Sequence, residues 1–187
     1  ELRTRKGLDW TPRFRAIADA AAALADALVD GEVVALDAKG RPDFAALQAA
    51  LSEARSGDMI FYAFDLLFRG SEDLRRRPLC KRKAELAKLL RGVPAQGSIR
   101  YVEHLEVDGR RVLASACAMG LEGIVSKRLG SAYTSGRTRG WCKTKCRAGH
   151  EVVIGGWTGG EGDVRALVVG VYRNRRLVHI GRVGTGF

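Results

Sequence analysis

Two lysines separated by one residue, Lys143 and Lys145, carry the clearest chemical signal in the sequence. They lie in residues 141–146, where large and basic residues alternate as they do in a strand with one basic face. Side chains two residues apart on a strand point to the same face, so the two ammonium groups are expected to lie side by side. Such charges repel each other unless an anion lies between them, and phosphate is a suitable anion. An exposed strand edge protected by lysine is the alternative.

Acidic and aromatic residues near predicted strands form a second group of candidates. Glu32 and Glu122 each neighbour a glycine near the start of a strand, where a carboxylate can hold a divalent cation or a ribose hydroxyl. Taken singly, either is more often a surface residue. Phe64 lies in an apolar run and would by default be a core aromatic, whereas a buried Asp65 would need a partner or a metal.

The chain carries a large excess of positive charge, with a formal net charge of +11 and a pI near 10.0. Because Lys and Arg release counterions when they bind phosphates, nucleic acid is the first candidate partner and an anionic membrane surface the second. A basic surface without such a partner is the alternative. The basic cluster at residues 75–83 fits a solvated helix face, whereas residues 137–147 contain no acidic residue. No stretch of about 18 apolar residues occurs, so no transmembrane helix is expected.

The four cysteines, Cys80, Cys117, Cys142 and Cys146, do not follow the spacing of a disulfide framework. Reduced thiols in a cytoplasmic protein are therefore expected. Cys142, Cys146 and His150 recur at four-residue intervals, which could indicate a metal site. Without an obvious fourth ligand the spacing fits no common zinc pattern, so zinc is the less favoured interpretation.

Helix and strand patterns in the first 147 residues indicate a mixed α+β domain that would position these side chains. A helix is predicted after Thr11-Pro12, with Phe14, Ile17, Leu24 and Leu28 at helical spacing. Others are predicted after Asp43, burying Phe44, Leu47 and Leu51, and over residues 78–90 and 110–119. Strands are predicted over residues 32–36, 59–68, 99–105, 124–127 and 141–146, with a turn at Asp30-Gly31.

After about residue 148 the pattern changes to three β-rich runs, residues 150–157, 166–172 and 177–183, without a helix between them. This pattern is typical of the first strands of a small antiparallel barrel. We therefore predict an α+β domain over residues 1–147 and an incomplete β-domain over residues 148–187.

Five motifs, taken in order, resemble the motif series of covalent nucleotidyltransferases and specifically of ATP-dependent DNA ligases. They are Thr4-Arg5-Lys6-Gly7, Asp30-Gly31-Glu32, Phe61-Tyr62-Ala63-Phe64-Asp65-Leu66-Leu67, Glu122-Gly123-Ile124-Val125-Ser126-Lys127-Arg128 and Trp141-Cys142-Lys143-Thr144-Lys145. Residues 7–11 and 182–187 look most like the bacterial ligase D branch, which serves non-homologous end joining. The resemblance implies an ATP-grasp-like adenylation (nucleotidyltransferase) domain without its N-terminal part, followed by a partial OB-fold barrel.

The resemblance also implies a site for ATP with Mg²⁺ or Mn²⁺. Glu32 would contact the ribose and help to hold the metal, and Glu122 would act through the metal. Phe64 would stack on adenine, and Lys143 and Lys145 would contact the α-phosphate. Both glutamates and both lysines are thus the implied catalytic residues.

Three arginines are implied in contacts with nucleotide or DNA. Arg5 would reach the nucleotide or the nick phosphate, and Arg128 and Arg137 would contact DNA. The implied partners are nicked or broken double-stranded DNA and, in end joining, Ku, with fused or separate polymerase and nuclease domains. A bacterial cytoplasmic, nucleoid-associated protein without a membrane partner is expected.

The implied reaction begins when a lysine attacks the α-phosphate of ATP, giving lysyl-AMP and pyrophosphate. AMP then moves to the 5′-phosphate at a DNA nick, and the 3′-hydroxyl displaces AMP to seal the strand. This chemistry depends mainly on positioning and on neutralising negative charge. Two alternatives remain open: a catalytically inert nucleic-acid-binding module derived from a ligase, and an RNA ligase or capping-type nucleotidyltransferase.

The attacking lysine of this family belongs to a Lys-x-Asp-Gly motif, which would precede Arg5 by a few tens of residues and does not occur in this chain. The OB-fold would continue past Phe187. A truncated chain, a gene fragment and one part of a split protein are the open explanations.

We predict that the 187-residue chain alone forms no enzyme–AMP, because none of its lysines stands in the required motif. Incubation with radiolabelled ATP and Mg²⁺ should leave the protein band unlabelled. A labelled band would refute this prediction.

Overall fold

The computed structural model describes residues 1–136, 138–146, 151–160 and 163–184, and the chain divides into two compact units, Glu1–Cys146 and Arg147–Phe187. The helices of the first unit are α1 (Arg15–Ala21), α2 (Phe44–Ser52), α3 (Leu79–Leu89) and α4 (Gly109–Ala118). Its strands are β1 (Ala27–Ala35), β2 (Met59–Arg69), β3 (Glu72–Asp73), β4 (Ile99–Tyr101), β5 (Gly123–Lys127) and β6 (Trp141–Lys145). Short 3₁₀ helices lie at Thr11–Arg13 and Ser56–Asp58. No helix in the described ranges is both long and apolar enough to cross a membrane.

The main sheet of the first unit is built around β2, the strand that the apolar run at residues 59–68 predicts. β1 pairs antiparallel along one side of β2, while β4 pairs parallel with residues 61–63 and β3 antiparallel with residues 68–69. A strand that is apolar along most of its length lies inside a sheet, because both of its faces can then be covered. Strand β2, which carries Phe64 and Asp65, therefore lies at the centre of the sheet.

The core lies where the helices cover one face of this sheet. Met59 and Leu66 of β2 are fully buried there with Ile17 of α1, Ala50 of α2 and Leu86 of α3. Helices α1, α2 and α3 thus each contribute buried apolar residues to this core, as predicted for Ile17.

Helix α2 begins as its sequence predicts. The Asp43 carboxylate accepts hydrogen bonds from the backbone N–H groups of Ala45 and Ala46, at 2.8 and 3.1 Å. Leu47 and Leu51 pack against the core. The predicted burial of Phe44 is wrong, because this first helical residue is 73% exposed.

Strand β1 is longer than predicted. Leu28, which was expected on a helix, and the expected turn at Asp30-Gly31 both lie within it, and two register shifts interrupt its pairing with β2. Gly31 lies so close to β2 that a Cβ atom there would be 2.3 Å from Cζ of Phe61. The glycine is therefore required by close strand packing and a bulge. Strand β4, in contrast, is shorter than the predicted run of residues 99–105.

A buried ion pair connects β2 to α3. The guanidinium of Arg82 donates two hydrogen bonds of 2.8 Å to the carboxylate of Asp65, and both side chains are fully buried. Arg82 also donates to the carbonyl oxygens of Arg77 and Ser131. The partner that a buried Asp65 was expected to need is therefore an arginine.

In the second unit, β7 (Val153–Thr158), β8 (Ala166–Arg173) and β9 (Arg176–Gly184) form an antiparallel three-stranded sheet. These strands match the three predicted β-runs. Apolar side chains including Ile154, Trp157 and Tyr172 are exposed on this unit. That it begins an OB-fold barrel stays a prediction.

The expectation that all cysteines are reduced is wrong for two of them, because Cys117 and Cys146 form a disulfide. The pairing was missed because the two residues are 29 positions apart, and the packing of α4 against β5 of the hairpin brings them together. Cys80 and Cys142 are free and exposed. Cys146 is thereby removed from the considered zinc ligands, and His150 lies outside the described residues.

We predict that Asp65→Ala destabilises the protein by about 3–5 kcal/mol, because Arg82 would remain buried without its partner. Urea denaturation should show this loss, and a double variant Asp65→Leu/Arg82→Met should be less destabilised than Asp65→Ala.

Glu85→Gln is the matched control, since it breaks the exposed Arg69–Glu85 pair and should cost less than about 1 kcal/mol. Equal losses for Asp65→Ala and Glu85→Gln would contradict the importance of the buried pair.

Candidate functional site

The β5–β6 hairpin carries the predicted lysine pair on one face. Its antiparallel register places Lys127 opposite Trp141, Val125 opposite Lys143 and Gly123 opposite Lys145. Residues directly opposite each other share a face of the sheet. We call this face, with Lys127 and Trp141 at one end and Lys143 and Lys145 towards the other, the lysine face.

Gly123 allows the two strands to pair closely at the end that carries Lys145. Its φ angle is +154°, and a Cβ atom there would lie 2.1 Å from the carbonyl oxygen of Thr144. No other residue fits this space and this backbone conformation. The glycine thus explains physically why Glu122 is followed by Gly123 at the start of β5.

The carboxylate of Glu122 lies between the two lysines. Its Oε1 atom is 3.1 Å from Nζ of Lys143 and 3.0 Å from Nζ of Lys145. Hydrogen bonds from Lys145 and Lys143 hold the pKa of Glu122 below its ordinary value of 4.5. The anion expected between the two ammonium groups is therefore present as a carboxylate of the same chain. All three side chains are largely exposed, so each contact is weak and exchangeable.

Phe64 meets the other end of the lysine face. Its ring lies edge-on to Trp141 at 6.2 Å between centroids, and Nζ of Lys127 is 3.9 Å from the Phe64 centroid and 3.7 Å from the Trp141 centroid. The two rings therefore attract the ammonium group through cation–π interactions. Phe64 is half-buried and belongs to this cluster, and the default expectation of a core aromatic is wrong.

The surroundings of Lys127 disfavour its charge. Burial lowers the pKa of Lys127 from 10.5 to about 8, although the carboxylates of Asp65 and Asp30 oppose the shift. A lysine with a pKa of about 8 is partly deprotonated near neutral pH, whereas one with the ordinary pKa of 10.5 is almost entirely charged.

Tyr133 connects the loop after β5 to β1. Its hydroxyl donates a hydrogen bond of 3.2 Å to Oδ2 of Asp30, and its ring lies 6.1 Å from that of Trp141. Burial raises the pKa of Asp30, and it also raises the pKa of Tyr133. The backbone N–H of Tyr133 donates to the carbonyl oxygen of Arg75 at 2.7 Å, which fixes the loop against the segment before α3.

Glu32 lies on the sheet next to Phe64. It is exposed in β1 opposite Tyr62, and Tyr62 and Phe64 are two residues apart on β2, so the three side chains share a face. Arg5 is exposed in the N-terminal segment, and it lines with Glu32 a cleft that runs beside β1. Within the described ranges, neither Arg5 nor Glu32 forms an ion pair with the other predicted site residues.

Two of the predicted DNA-contacting arginines, Arg128 and Arg137, lie in the sequence between β5 and β6. Arg128 directly follows β5 and is exposed, and its backbone N–H donates to the carbonyl oxygen of Gly140 at 2.8 Å. Arg137 lies outside the described residues.

The acidic side chains fit a divalent cation only in part. In the portion of the chain that the structure describes, no three His, Cys, Asp or Glu side chains cluster as metal ligands. Mg²⁺ often takes only one or two carboxylates and completes its shell with water and substrate phosphates, and Glu32 offers an exposed carboxylate for this. Glu122, in contrast, already accepts hydrogen bonds from two ammonium groups. That Glu122 holds the metal stays a prediction.

Lys127, Trp141, Tyr133 and Asp30 join the cluster although residue types alone did not single them out. The available signal was the strand pairing, because an antiparallel 123–127/141–145 hairpin places Lys127 opposite Trp141. The loop contact between Tyr133 and Asp30, 103 residues apart, leaves no pattern in the sequence.

The mixed sheet with helices on one face, joined to a hairpin that carries a lysine pair, fits a nucleotidyltransferase-type adenylation domain. Residues 1–145 match the family profile described as the ATP dependent DNA ligase domain. The chain therefore belongs to the ATP-dependent DNA ligase domain family.

Several relatives are similar over nearly the whole chain. The multifunctional non-homologous end joining protein LigD of Pseudomonas aeruginosa is 45% identical over 194 residues, which cover 100% of this chain and 23% of that protein. A structure of mycobacterial DNA ligase D complexed with ATP and MES has a TM-score of 0.67 at 35% identity, over 99% of this chain and 60% of that chain. The M. tuberculosis LigD ligase domain is 36% identical with a TM-score of 0.65, over 98% and 60%. The chain thus spans about a quarter of the curated LigD relatives.

We predict that the amine of Lys127 titrates at a pKa of about 8. Because this pKa is depressed, the charged form of Lys127 lowers the free energy of unfolding. The full reduction applies below pH 8, and it disappears as the pH rises towards 10.5. Asp30→Asn should lower the Lys127 pKa further, because the Asp30 carboxylate stabilises the ammonium group. A ¹³C NMR titration of the lysine Cε atoms, assigned with Lys127→Arg, measures both.

The control is Asp19→Asn, which removes an exposed carboxylate on α1 and should leave the Lys127 titration unchanged. A Lys127 midpoint near 10.5, or a higher midpoint in Asp30→Asn, would contradict the described surroundings.

Proposed function

We propose that this chain is the nucleotide-binding core of an ATP-dependent DNA ligase of the ligase D type, which seals nicks during non-homologous end joining. The observation that carries the proposal is the lysine face itself. One end of this face meets Phe64, and towards its other end two lysines hold a carboxylate. An aromatic ring and an anion site on one hairpin suit a ligand with a flat base and a phosphate.

In the proposed complex, adenine stacks against Phe64 beside Trp141, and the α-phosphate binds Lys143 and Lys145. Trp141 and Lys143 are two residues apart on β6, which is about 7 Å along a strand. A ribose can span that separation. Glu32, on the same sheet face as Phe64, would then contact the ribose hydroxyls.

The phosphate would replace the carboxylate of Glu122 between the lysines. Because that carboxylate is exposed and its ion pairs are weak, exchange requires little rearrangement. Once displaced by the phosphate, Glu122 is proposed to bind Mg²⁺ together with Glu32. When bound, the cation would neutralise charge on the phosphate oxygens.

The positive charge of the chain suits a DNA substrate. With a net charge of +11, the protein would bind the backbone of nicked or broken DNA by counterion release. Arg5, Arg128 and Arg137 are the proposed DNA contacts. An OB-fold formed from the second unit, together with Ku and polymerase and nuclease domains, completes the proposed repair assembly.

We expect the 187-residue chain to bind ATP in the presence of Mg²⁺, as measured by isothermal titration calorimetry. Phe64→Leu should weaken binding about tenfold by removing the stacking surface. Lys143→Gln should weaken it about tenfold by removing a charged hydrogen-bond donor. Glu122→Gln should instead strengthen binding of inorganic pyrophosphate about two- to fivefold, since the competing carboxylate is gone.

Matched controls are Phe44→Leu, at an aromatic residue that is 73% exposed on α2, and Lys39→Gln, at an exposed lysine outside the hairpin. Both should bind as the unmodified chain does. Binding of nicked DNA without any ATP binding would favour the inert nucleic-acid-binding module and overturn the nucleotide site.

A further inference from the structure

An exposed disulfide lies at the open end of the β5–β6 hairpin. Cys117 is in the last turn of α4 and Cys146 directly follows β6, with their Cα atoms 5.3 Å apart. Cys117 is exposed and Cys146 half-buried, so a thiol in solution can reach the bond. Pairing is selective, since Cys80 and Cys142 are free.

The disulfide is directly adjacent to the anion site, which is formed by Lys143 and Lys145 around the Glu122 carboxylate. Cys146 follows Lys145 in the chain, and its backbone N–H donates to the carbonyl oxygen of Glu122 at 2.8 Å. Cys146 is therefore bonded covalently to Lys145 and hydrogen-bonded to the backbone of Glu122, the residue whose carboxylate Lys145 contacts.

The other side of the disulfide belongs to the helix that supports the hairpin. Ile124, Ser126 and Thr144, on the face opposite the lysine face, line a cleft with Leu113 of α4. The bond therefore ties this supporting helix covalently to the end of β6.

Chemistry around the bond favours reversible exchange. Exposed disulfides are the ones that thiols reduce most readily, and in reducing compartments the few that form are usually redox-sensing or catalytic. Cys117 is exposed and Cys146 half-buried, so Sγ of Cys117 is the atom that an attacking thiolate reaches more easily.

We propose that the Cys117–Cys146 pair is a thiol–disulfide modification site that controls the anion site of the lysine face. With the bond formed, Lys145 and Glu122 are held in place and a nucleotide phosphate binds more tightly. With the bond broken, the end of β6 is freer and binding weakens. The inference rests on the proposed function only in naming a nucleotide phosphate as the ligand.

The step is an exchange with a dithiol, either a small molecule or a protein. One thiolate of the dithiol attacks Sγ of Cys117, the S–S bond breaks, and Cys146 leaves as a thiolate. The second thiol of the reductant then displaces Cys117 and forms the reductant's own disulfide. Two electrons and two protons pass from the dithiol to the cysteines, and the reverse exchange with a low-molecular-weight disulfide restores the bond.

The test compares the oxidised and the reduced chain. Thiol counting should find two free thiols after air oxidation, those of Cys80 and Cys142, and four after dithiothreitol. Calorimetry should show that the oxidised chain binds ATP–Mg²⁺ and inorganic pyrophosphate at least about fivefold more tightly. Linkage requires the reciprocal effect, so pyrophosphate should shift the glutathione redox equilibrium towards the disulfide by the same factor.

Two variants separate this bond from other thiol effects. Cys117→Ser should bind as weakly as the reduced chain and ignore the redox state, whereas Cys80→Ser/Cys142→Ser should respond fully. Should Cys117→Ser misfold, the redox equilibrium of the unmodified chain with and without pyrophosphate decides the matter.

Each adverse outcome has a distinct meaning. Equal affinities in the two redox states, or four free thiols after oxidation, would overturn the redox inference and leave the proposed nucleotide site standing. No binding of ATP or pyrophosphate in either state would overturn the proposed function and the inference with it.

Discussion

The buried ion pair between Asp65 and Arg82 is the interaction on which the candidate site depends. Asp65 follows Phe64 on β2, and the same guanidinium binds the carbonyl oxygen of Ser131. One side chain therefore fixes both the sheet that carries Phe64 and the loop that carries Tyr133. Since an arginine without its partner is very costly in this environment, the arrangement has little freedom to adjust. Trp141 and Lys127 contact Phe64, which precedes Asp65 on β2, next to this charge pair.

The two ends of the β5–β6 hairpin are stabilised by different interactions. Near Phe64, aromatic contacts, the Tyr133–Asp30 hydrogen bond and partial burial hold Lys127 with a depressed pKa. Near Glu122, the ion pairs are exposed, and water and salt compete with each of them. The first end is built to keep one geometry, and the second can exchange one anion for another.

The sequence predicted most of the elements because their signals are local. The Asp43 cap of α2, the apolar run of β2 and the alternation in β6 each depend on a few neighbouring residues. The local alternation of residues also predicted that Lys143 and Lys145 share one face of the strand. What failed depends on distant contacts. Gly31 looked like a turn residue because the sequence does not show Phe61 lying against it, and the pairing of Cys117 with Cys146 follows only from the packing of α4.

The difference in rigidity between the two ends of the hairpin suits the proposed reaction. In adenylate transfer the base stays unchanged, while the groups on its α-phosphate change from pyrophosphate to an amino group and then to a DNA phosphate. A preorganised site binds the base more tightly, because its side chains lose their conformational entropy during folding and not during binding. A phosphate site must follow a changing charge, and exposed lysines with an exchangeable carboxylate do so at low cost. The rigid end therefore lies next to the buried Asp65–Arg82 pair, and the adjustable end lies where the side-chain contacts are exposed and a reducible bond joins the strand to α4.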